Sequence, residues 1–176
     1  MTRLVAIVGP SGAGKDTLIR GALAARPDLH LARRVITRPA DTDSEDFDSV
    51  TEADFAARRR SGAFALDWQA HGLHYAIPTA ALTRPGIVLF NGSRAALALA
   101  VARFPGLEVI LVTAPDQRLA TRLAARGRET DASIAARLGR AGFGLPAGIT
   151  AQVVVNDGTV AEGVAQLLAA LQPDRG

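Results

Sequence analysis

The residues with the clearest chemistry lie near the amino terminus, where a glycine-rich segment follows a short apolar run. Residues 4–8 are apolar, and the next nine read Gly9-Pro10-Ser11-Gly12-Ala13-Gly14-Lys15-Asp16-Thr17. The spacing matches G-x-x-x-x-G-K-[ST], except that Asp16 takes the last position and the hydroxyl follows at Thr17. A strand, a turn of this kind and a helix aim successive backbone N–H groups at phosphate oxygens. The segment therefore predicts a loop that binds a nucleoside triphosphate.

Each part of this segment has an expected role. Lys15 is the only lysine among the 20 Lys and Arg residues, and we expect it to reach the β- and γ-phosphates of ATP. The backbone N–H groups from Ser11 to Thr17 should surround the phosphates. Thr17 is the expected contact to Mg²⁺. Asp16 either adds a contact through water or is an acidic residue favoured by the positive end of the helix.

Composition limits the class of protein. A chain of 176 residues with 48% hydrophobic content suits one domain, residues 1–176. There is no cysteine, and three scattered histidines do not predict a zinc site. The net charge is only +3, so a nucleic-acid partner is not expected. No run of about 20 apolar residues predicts a membrane span. Because Met1 leads almost directly into the first strand, we expect a cytoplasmic protein without a signal peptide.

Strand-like and helix-like segments alternate along the chain, which predicts an α/β fold with a parallel sheet. The predicted strands are 4–8, 35–37, 64–68, 73–76, 86–90, 107–112 and 152–155. The predicted helices are 17–26, 51–61, 95–104, 114–127, 132–141 and 159–171, with a polar loop at 38–49. In such sheets ligands bind at the carboxyl ends of the strands. The Gly9 turn, residues 91–94 and residues 156–157 all follow strands and should converge there.

Four segments together resemble guanylate kinase over essentially the whole chain. They are residues 9–17, Ile36-Thr37-Arg38-Pro39, residues 67–75 and residues 122–128. The resemblance implies a P-loop NTPase fold with a parallel core sheet. It also implies an acceptor-binding subdomain at about 34–80 and an arginine-bearing lid at about 126–142.

Several positions depart from the guanylate kinase pattern. Asp41 stands where those enzymes carry a second arginine, and Phe47 replaces a phosphate-binding tyrosine. The strand end Asn91-Gly92-Ser93-Arg94 replaces an acidic one. Together with Asp16, this pattern resembles the ribose 1,5-bisphosphate phosphokinase family. The resemblance implies phosphoryl transfer from ATP, with Mg²⁺, to ribose 1,5-bisphosphate, giving 5-phosphoribosyl 1-diphosphate in phosphonate breakdown.

Two alternative functions stay open at this point. One is a divergent guanylate kinase that acts on GMP, and the other is an inactive interaction module of the same fold. Both kinase reactions use an acceptor oxygen that is already anionic, so the site needs positioning and charge neutralisation and no general base. The expected partner is a small sugar phosphate, and the sequence carries no signal for an oligomeric state.

The resemblance also assigns residues to the acceptor. Arg38 is the expected catalytic ligand of the accepting phosphate, because arginine donates to phosphate in a planar, bidentate manner. Asp67 should read a base or ribose hydroxyls, while Trp68 is expected in the core. The other expected substrate contacts are Glu45, Tyr75, Asn91, Ser93 and Arg94. Glu45 is otherwise a solvated loop residue, and Tyr75 otherwise packs in its hairpin.

The remaining expected contacts concern the transferring phosphoryl group and the nucleotide. Arg122, Arg126 and Arg137 resemble lid arginines, which would close on the transferring group, exclude water and stabilise its charge. Of these, Arg126 and Arg137 are predicted to be catalytic and Arg122 to bind nucleotide. Asn156 and Asp157 resemble a segment near adenine, or are only a turn into the last helix.

Overall fold

The computed structural model describes residues 1–10, 12–39, 47–115 and 144–172. The strands are β1 Thr2–Val8, β2 Leu29–Leu31, β3 Arg34–Ile36, β4 Phe47–Ser49, β5 Phe64–Ala70, β6 Leu73–Pro78, β7 Gly86–Asn91, β8 Glu108–Thr113 and β9 Gln152–Val155. The helices are α1 Lys15–Ala25, α2 Glu52–Arg60, α3 Arg94–Arg103 and α4 Val160–Ala170, with a 3₁₀ helix at Thr79–Leu82. Within these residues no helix has the length and apolar character needed to cross a membrane.

Five strands form a parallel sheet in the order β2-β7-β1-β8-β9. Val5, Ile7, Leu89 and Ile110 in its central strands are completely buried, as expected for a parallel sheet covered on both faces. The chain crosses from one side of β1 to the other between β7 and β8. Ligands of open α/β sheets bind at such a switch point, and the glycine-rich turn begins directly after β1. The predicted α/β fold with a parallel sheet is confirmed.

A second sheet has the order β4-β3-β6-β5, in which β3 and β4 are parallel and the other pairs antiparallel. The hairpin between β5 and β6 turns at His71 and Gly72, whose φ angles are 52° and 73°. Two positive φ values are typical of the turns that join adjacent antiparallel strands. This sheet covers residues 34–78, so it lies within the range predicted for an acceptor-binding subdomain. That function remains a prediction.

The second sheet has two faces with different neighbours. We call the inner face the one that carries Ile36, Leu66, Trp68, Tyr75 and Ile77. These side chains share one hydrophobic cluster with Ala6, Val8, Val88, Phe90, Ala96 and Leu97 of the first sheet and α3. The outer face packs on α2, where Val35 and Ala76 cluster with Phe55. Because successive strand residues point to opposite sides, the strand position decides which face a side chain joins.

The structure also differs from the predicted elements. The segment predicted as a polar loop at 38–49 ends in β4, which pairs in parallel with β3. Asp48 in β4 lies on the outer face and forms an ion pair with Arg33, with a distance of 3.1 Å. Polar residues therefore fit this edge strand. The polarity of the segment had predicted a loop instead. Strand β2 was not predicted. The helices predicted at 114–127 and 132–141 lie mostly outside the described residues.

Candidate active site

The glycine-rich loop bends sharply between β1 and α1. Gly12 and Gly14 have φ angles of 84° and 89°, in the left-handed region that glycine adopts readily. Gly14 is the N-cap of α1 and makes no side-chain cap. The first N–H groups of a helix lack partners within the helix. The loop therefore presents backbone donors at the positive end of α1, as binding of a triphosphate requires.

Lys15 lies across this loop. Its Nζ donates to the carbonyl oxygens of Gly9 and Pro10, at 2.7 Å and 3.3 Å. The ammonium group is therefore held against the backbone at the start of the loop. Thr17, two residues further along α1, is exposed. A hydroxyl in this place suits Mg²⁺, which prefers oxygen ligands and binds with substrate phosphates.

Two buried asparagines anchor the loop from two other strands of the first sheet, β7 and β9. Asn91 at the end of β7 donates from Nδ2 to Oδ1 of Asp16, at 2.8 Å. Asn156, directly after β9, donates from Nδ2 to the carbonyl oxygen of Ala13, also at 2.8 Å. The two amide side chains are only 7% and 5% exposed. The three clusters expected to converge therefore meet at the carboxyl edge of the sheet, and Asp16 of α1 is fixed by a partner at the end of β7.

The amide of Asn156 should matter for stability. Replacing Asn156 by alanine leaves the Ala13 carbonyl without this donor, so the free energy of unfolding should fall by about 1–3 kcal/mol. Urea unfolding would measure the loss. Asp157→Ala serves as the matched control, because Asp157 is the next residue and is exposed. The control should change the free energy by no more than about 0.5 kcal/mol. Equal losses in both variants would contradict an anchoring role for Asn156.

Ser93 and Arg94 lie where β7 passes into α3. Ser93 is the N-cap of α3, yet its side chain makes no cap hydrogen bond. Its Oγ is buried and has no hydrogen-bond partner among the described residues. Arg94 is the first residue of the helix and is exposed. A hydroxyl, a cation and a helix N-terminus in one place form a group of donors suited to an anionic ligand.

The inner face of the second sheet joins arginines to aromatic rings. Tyr75 stacks on Trp68, with ring centroids 5.5 Å apart, and the guanidinium of Arg34 lies 5.1 Å from the Tyr75 centroid. The guanidinium of Arg38 lies 4.4 Å from the centroid of Phe47. Trp68 is 8% exposed, which confirms its predicted core position. Tyr75 is also buried, and its contact with a substrate remains a prediction.

Asp67 lies away from this group, on the other face of the sheet, and its contact with a substrate remains a prediction. Trp68 is on the inner face, so its neighbour Asp67 is on the outer face. There Asp67 lies opposite Ala76 and forms an ion pair with Arg59 of α2, at 3.2 Å. The pleat of β5 therefore separates the Asp67 carboxylate from Tyr75.

Some predicted site residues lie outside the described part of the chain. These are Ser11, Glu45, Arg122, Arg126 and Arg137. Conversely, the sequence reasoning missed Arg34, which is buried at 8% exposure on the inner face. Its position two residues before Ile36, on the same side of β3, was the available signal.

Comparison with known proteins agrees with this fold. A family model described as an AAA domain matches residues 4–140. The solved structure of guanylate kinase from Anaplasma phagocytophilum superposes with a TM-score of 0.68 at 14% sequence identity. The superposition covers 97% of this chain and 87% of that one. At this identity the likeness establishes the fold alone.

Curated relatives are much closer in sequence. The bifunctional ribose 1,5-bisphosphokinase-thymidine phosphorylase of Cupriavidus necator is 48% identical over 170 residues, covering 94% of this chain but only 28% of the relative. The ribose 1,5-bisphosphate phosphokinase PhnN of Rhizobium etli is 46% identical, covering 96% of this chain and 88% of the relative. That of Methylobacterium radiotolerans is 45% identical, with coverages of 96% and 97%. The chain has a phosphate loop, this fold and such relatives. It therefore belongs to the ribose 1,5-bisphosphate phosphokinase family.

Proposed function

We propose that this protein transfers the γ-phosphoryl group of ATP to ribose 1,5-bisphosphate, giving 5-phosphoribosyl 1-diphosphate and ADP. The observation that carries the proposal is the likeness to single-function relatives of that name over 88–97% of their length. The chain spans only 28% of the bifunctional relative from Cupriavidus necator. The second activity in that relative's name is therefore not assigned to this chain.

The reaction is a direct displacement at phosphorus. An oxygen of the acceptor 1-phosphate forms a bond to the γ-phosphorus, while the bond from that phosphorus to the β–γ bridging oxygen breaks. The departing electron pair stays on ADP, and no proton has to move. The protein then contributes position and positive charge. The loop amides and Lys15 hold the donor, and Arg38 binds the accepting phosphate.

The charge distribution of the second sheet supports a phosphorylated sugar as acceptor. Its four strands contain two carboxylates, Asp48 and Asp67. Both lie on the outer face, because Phe47 and Trp68 occupy the inner one. The inner face instead carries the guanidinium groups of Arg34 and Arg38. Arginines on the inner face and carboxylates on the outer face suit a ligand with several phosphate charges better than a purine that needs an acid to read it.

The donor side of the proposal includes Mg²⁺. When bound, the ion would neutralise charge on the ATP phosphates. Thr17 would hold it, directly or through water, and Asp16 would orient a water ligand while Asn91 fixes its carboxylate. Asn156 and Asp157 would border the adenine. The whole chain would act as one kinase domain, with its acceptor subdomain at about 34–80 and lid at about 126–142.

The other proposed contacts are to the acceptor and to the transferring phosphoryl group. Asn91, Ser93 and Arg94 would bind the acceptor from the end of β7, with Glu45 and Tyr75 beside it. Arg122, Arg126 and Arg137 would close on the transferring phosphoryl from the lid. We also propose a cytoplasmic location and a place in phosphonate catabolism, where the product supplies 5-phosphoribosyl 1-diphosphate.

A coupled assay of ADP release tests the acceptor. With ATP and Mg²⁺, kcat/KM for ribose 1,5-bisphosphate should exceed that for GMP by at least about 100-fold, because a site built for phosphate and hydroxyl groups rejects a ligand that leaves them unpaired. Faster turnover of GMP would replace this proposal by a guanylate kinase. No ADP release with either acceptor, in a folded protein that binds ATP, would favour the inactive module.

A further inference from the structure

Asp16 occupies an unusual place in the phosphate loop. In G-x-x-x-x-G-K-[ST] the residue after the lysine carries a hydroxyl that binds Mg²⁺, and here it carries a negative charge. Asp16 lies in the first turn of α1, next to Lys15, where the phosphates of ATP would bind. A carboxylate beside a triphosphate repels it, because both are negative. A cation between the two groups removes this repulsion.

The position of Asp16 is set by the neighbouring strand. β7 pairs in parallel with β1, in a register that places Asn91 opposite Ile7, near the start of the loop. Asn91 is 7% exposed, and its Nδ2 donates to Oδ1 of Asp16 at 2.8 Å. An acid that only favoured the positive end of α1 would need no such partner. The amide therefore directs the carboxylate to one place beside the loop.

The two side chains together reverse a common arrangement. P-loop NTPases hold Mg²⁺ with the hydroxyl of the loop Ser or Thr and with an aspartate from a second segment of the chain. Here the acid is on the loop side, as Asp16, and a neutral amide ends a strand, as Asn91. The hydrogen bond between them shows that both side chains reach the same point of the site. Each arrangement places one carboxylate there.

The donor set fits Mg²⁺. This ion usually keeps several waters and is held by one or two carboxylates together with phosphates of the substrate. Asp16 supplies one carboxylate, and the next residue, Thr17, adds an exposed hydroxyl. Among the residues that the structure describes, no group of three His, Cys, Asp or Glu side chains could hold a metal ion by itself. The phosphates of ATP would therefore complete the site.

We propose that Asp16 and Asn91 form a single cation-binding unit, in which the loop supplies the carboxylate and the strand supplies the amide that orients it. The inference rests on the proposed function, because it takes ATP with Mg²⁺ as the donor. The unit requires one negative charge: with none the cation loses this carboxylate, and two carboxylates repel each other when no cation is bound. Asn91 is then a positioning residue for the cation, and an acid at position 91 suits the site only when residue 16 is neutral.

The test exchanges the two side chains and measures ATP binding with and without Mg²⁺. Calorimetry gives Kd for ATP in EDTA and in excess Mg²⁺, and the ratio of the two values is the gain from the cation. Asp16→Asn keeps an oxygen that can accept from Asn91 but removes the charge. Its gain should fall by about 10- to 100-fold, as expected for a lost hydrogen bond to a charged group. In EDTA it should bind ATP at least as tightly as the wild type, since the repulsion is gone.

Asn91→Asp should change the gain in the opposite direction. It places a second carboxylate beside Asp16, so ATP binding in EDTA should weaken and added Mg²⁺ should raise the affinity more than in the wild type. The double variant Asp16→Asn/Asn91→Asp carries the same two side chains in exchanged positions. Because it again has one carboxylate at this point, its gain should return to within about threefold of the wild-type value.

Asp54→Asn is the matched control. Asp54 is an exposed acid in the first turn of α2, as Asp16 is an acid in the first turn of α1. Its replacement should leave both Kd values unchanged. Urea unfolding shows whether each variant is folded. If the exchanged variant is not, Asp16→Ser/Asn91→Asp takes its place with the same expected gain, because it has the common arrangement of a loop hydroxyl and a strand acid.

Four results would overturn the inference. They are a wild-type protein without any gain from Mg²⁺, an unchanged gain in Asp16→Asn, a gain in Asn91→Asp that falls instead of rising, and a double variant whose gain is no larger than that of Asp16→Asn. The proposed function fails separately, if a wild-type protein with the expected gain transfers no phosphoryl group to ribose 1,5-bisphosphate. Binding of ATP and turnover of the acceptor therefore test the two statements independently.

Discussion

Replacing Lys15 by methionine should lower kcat for phosphoryl transfer by about 10³-fold while the fold stays intact. Methionine is unbranched like lysine but has no charge, so the variant removes the ammonium group and little else. Lys15 is the only lysine of the chain, so no neighbouring lysine can take its place. Single-turnover kinetics with saturating ATP would measure the chemical step.

The stability of this variant should change little. Nζ of Lys15 donates to the carbonyl oxygens of Gly9 and Pro10. The loss of these bonds should cost about 1 kcal/mol in the free energy of unfolding. Arg20→Met, an exposed cation further along α1, is the matched control and should keep full activity. If Lys15→Met kept more than a tenth of wild-type turnover, the phosphate-loop mechanism would be wrong.

Replacing Gly9 by alanine should reduce the free energy of unfolding by about 3 kcal/mol or more. A Cβ at this position would lie 2.0 Å from the carbonyl oxygen of Val112, which belongs to β8. The obstructing atom is backbone in a central strand, so it cannot move aside as a flexible side chain would. Thermal and urea unfolding would measure the loss, and ATP affinity should fall with it because the loop is displaced.

Gly62→Ala separates steric overlap from backbone preference. Gly62 also has a positive φ, 77°, but nothing lies within 4 Å of a Cβ built there. Its replacement should cost only about 1–2 kcal/mol, the penalty for an L-residue in the left-handed region. A loss at Gly9 no larger than the loss at Gly62 would show that β8 yields to the extra methyl group.

The phosphate loop and four of the five parallel strands were predictable because their signals are local. A buried strand reads as a short apolar run, and the glycine spacing belongs to one continuous segment. Strand β4 was missed for the opposite reason. It has only three residues, one of them Asp48, and it exists because β3 offers a parallel partner. Pairing between distant segments leaves no periodic signal in so short a strand.

In the second sheet, the alternation of strand residues between two faces allows one known position to predict others. Trp68 was correctly expected in the core, and this placed Asp67 on the other face, away from Tyr75. The same rule puts Arg34 on the face of Ile36. The pairing of Asn91 with Asp16 is different, because it joins residues 75 positions apart. No spacing rule predicts such a contact, although both residues were assigned to the site.

The anchoring of the loop by Asn156 has a consequence for the order of folding. Its hydrogen bond to Ala13 spans 143 positions, and Arg3 donates to the carbonyl oxygen of Leu171 across 168. Contacts between such distant residues form slowly, because a long stretch of chain must first be ordered. During synthesis, the loop is complete in sequence long before β9 leaves the ribosome. The anchored form of the nucleotide site therefore arises only after Asn156 has been made.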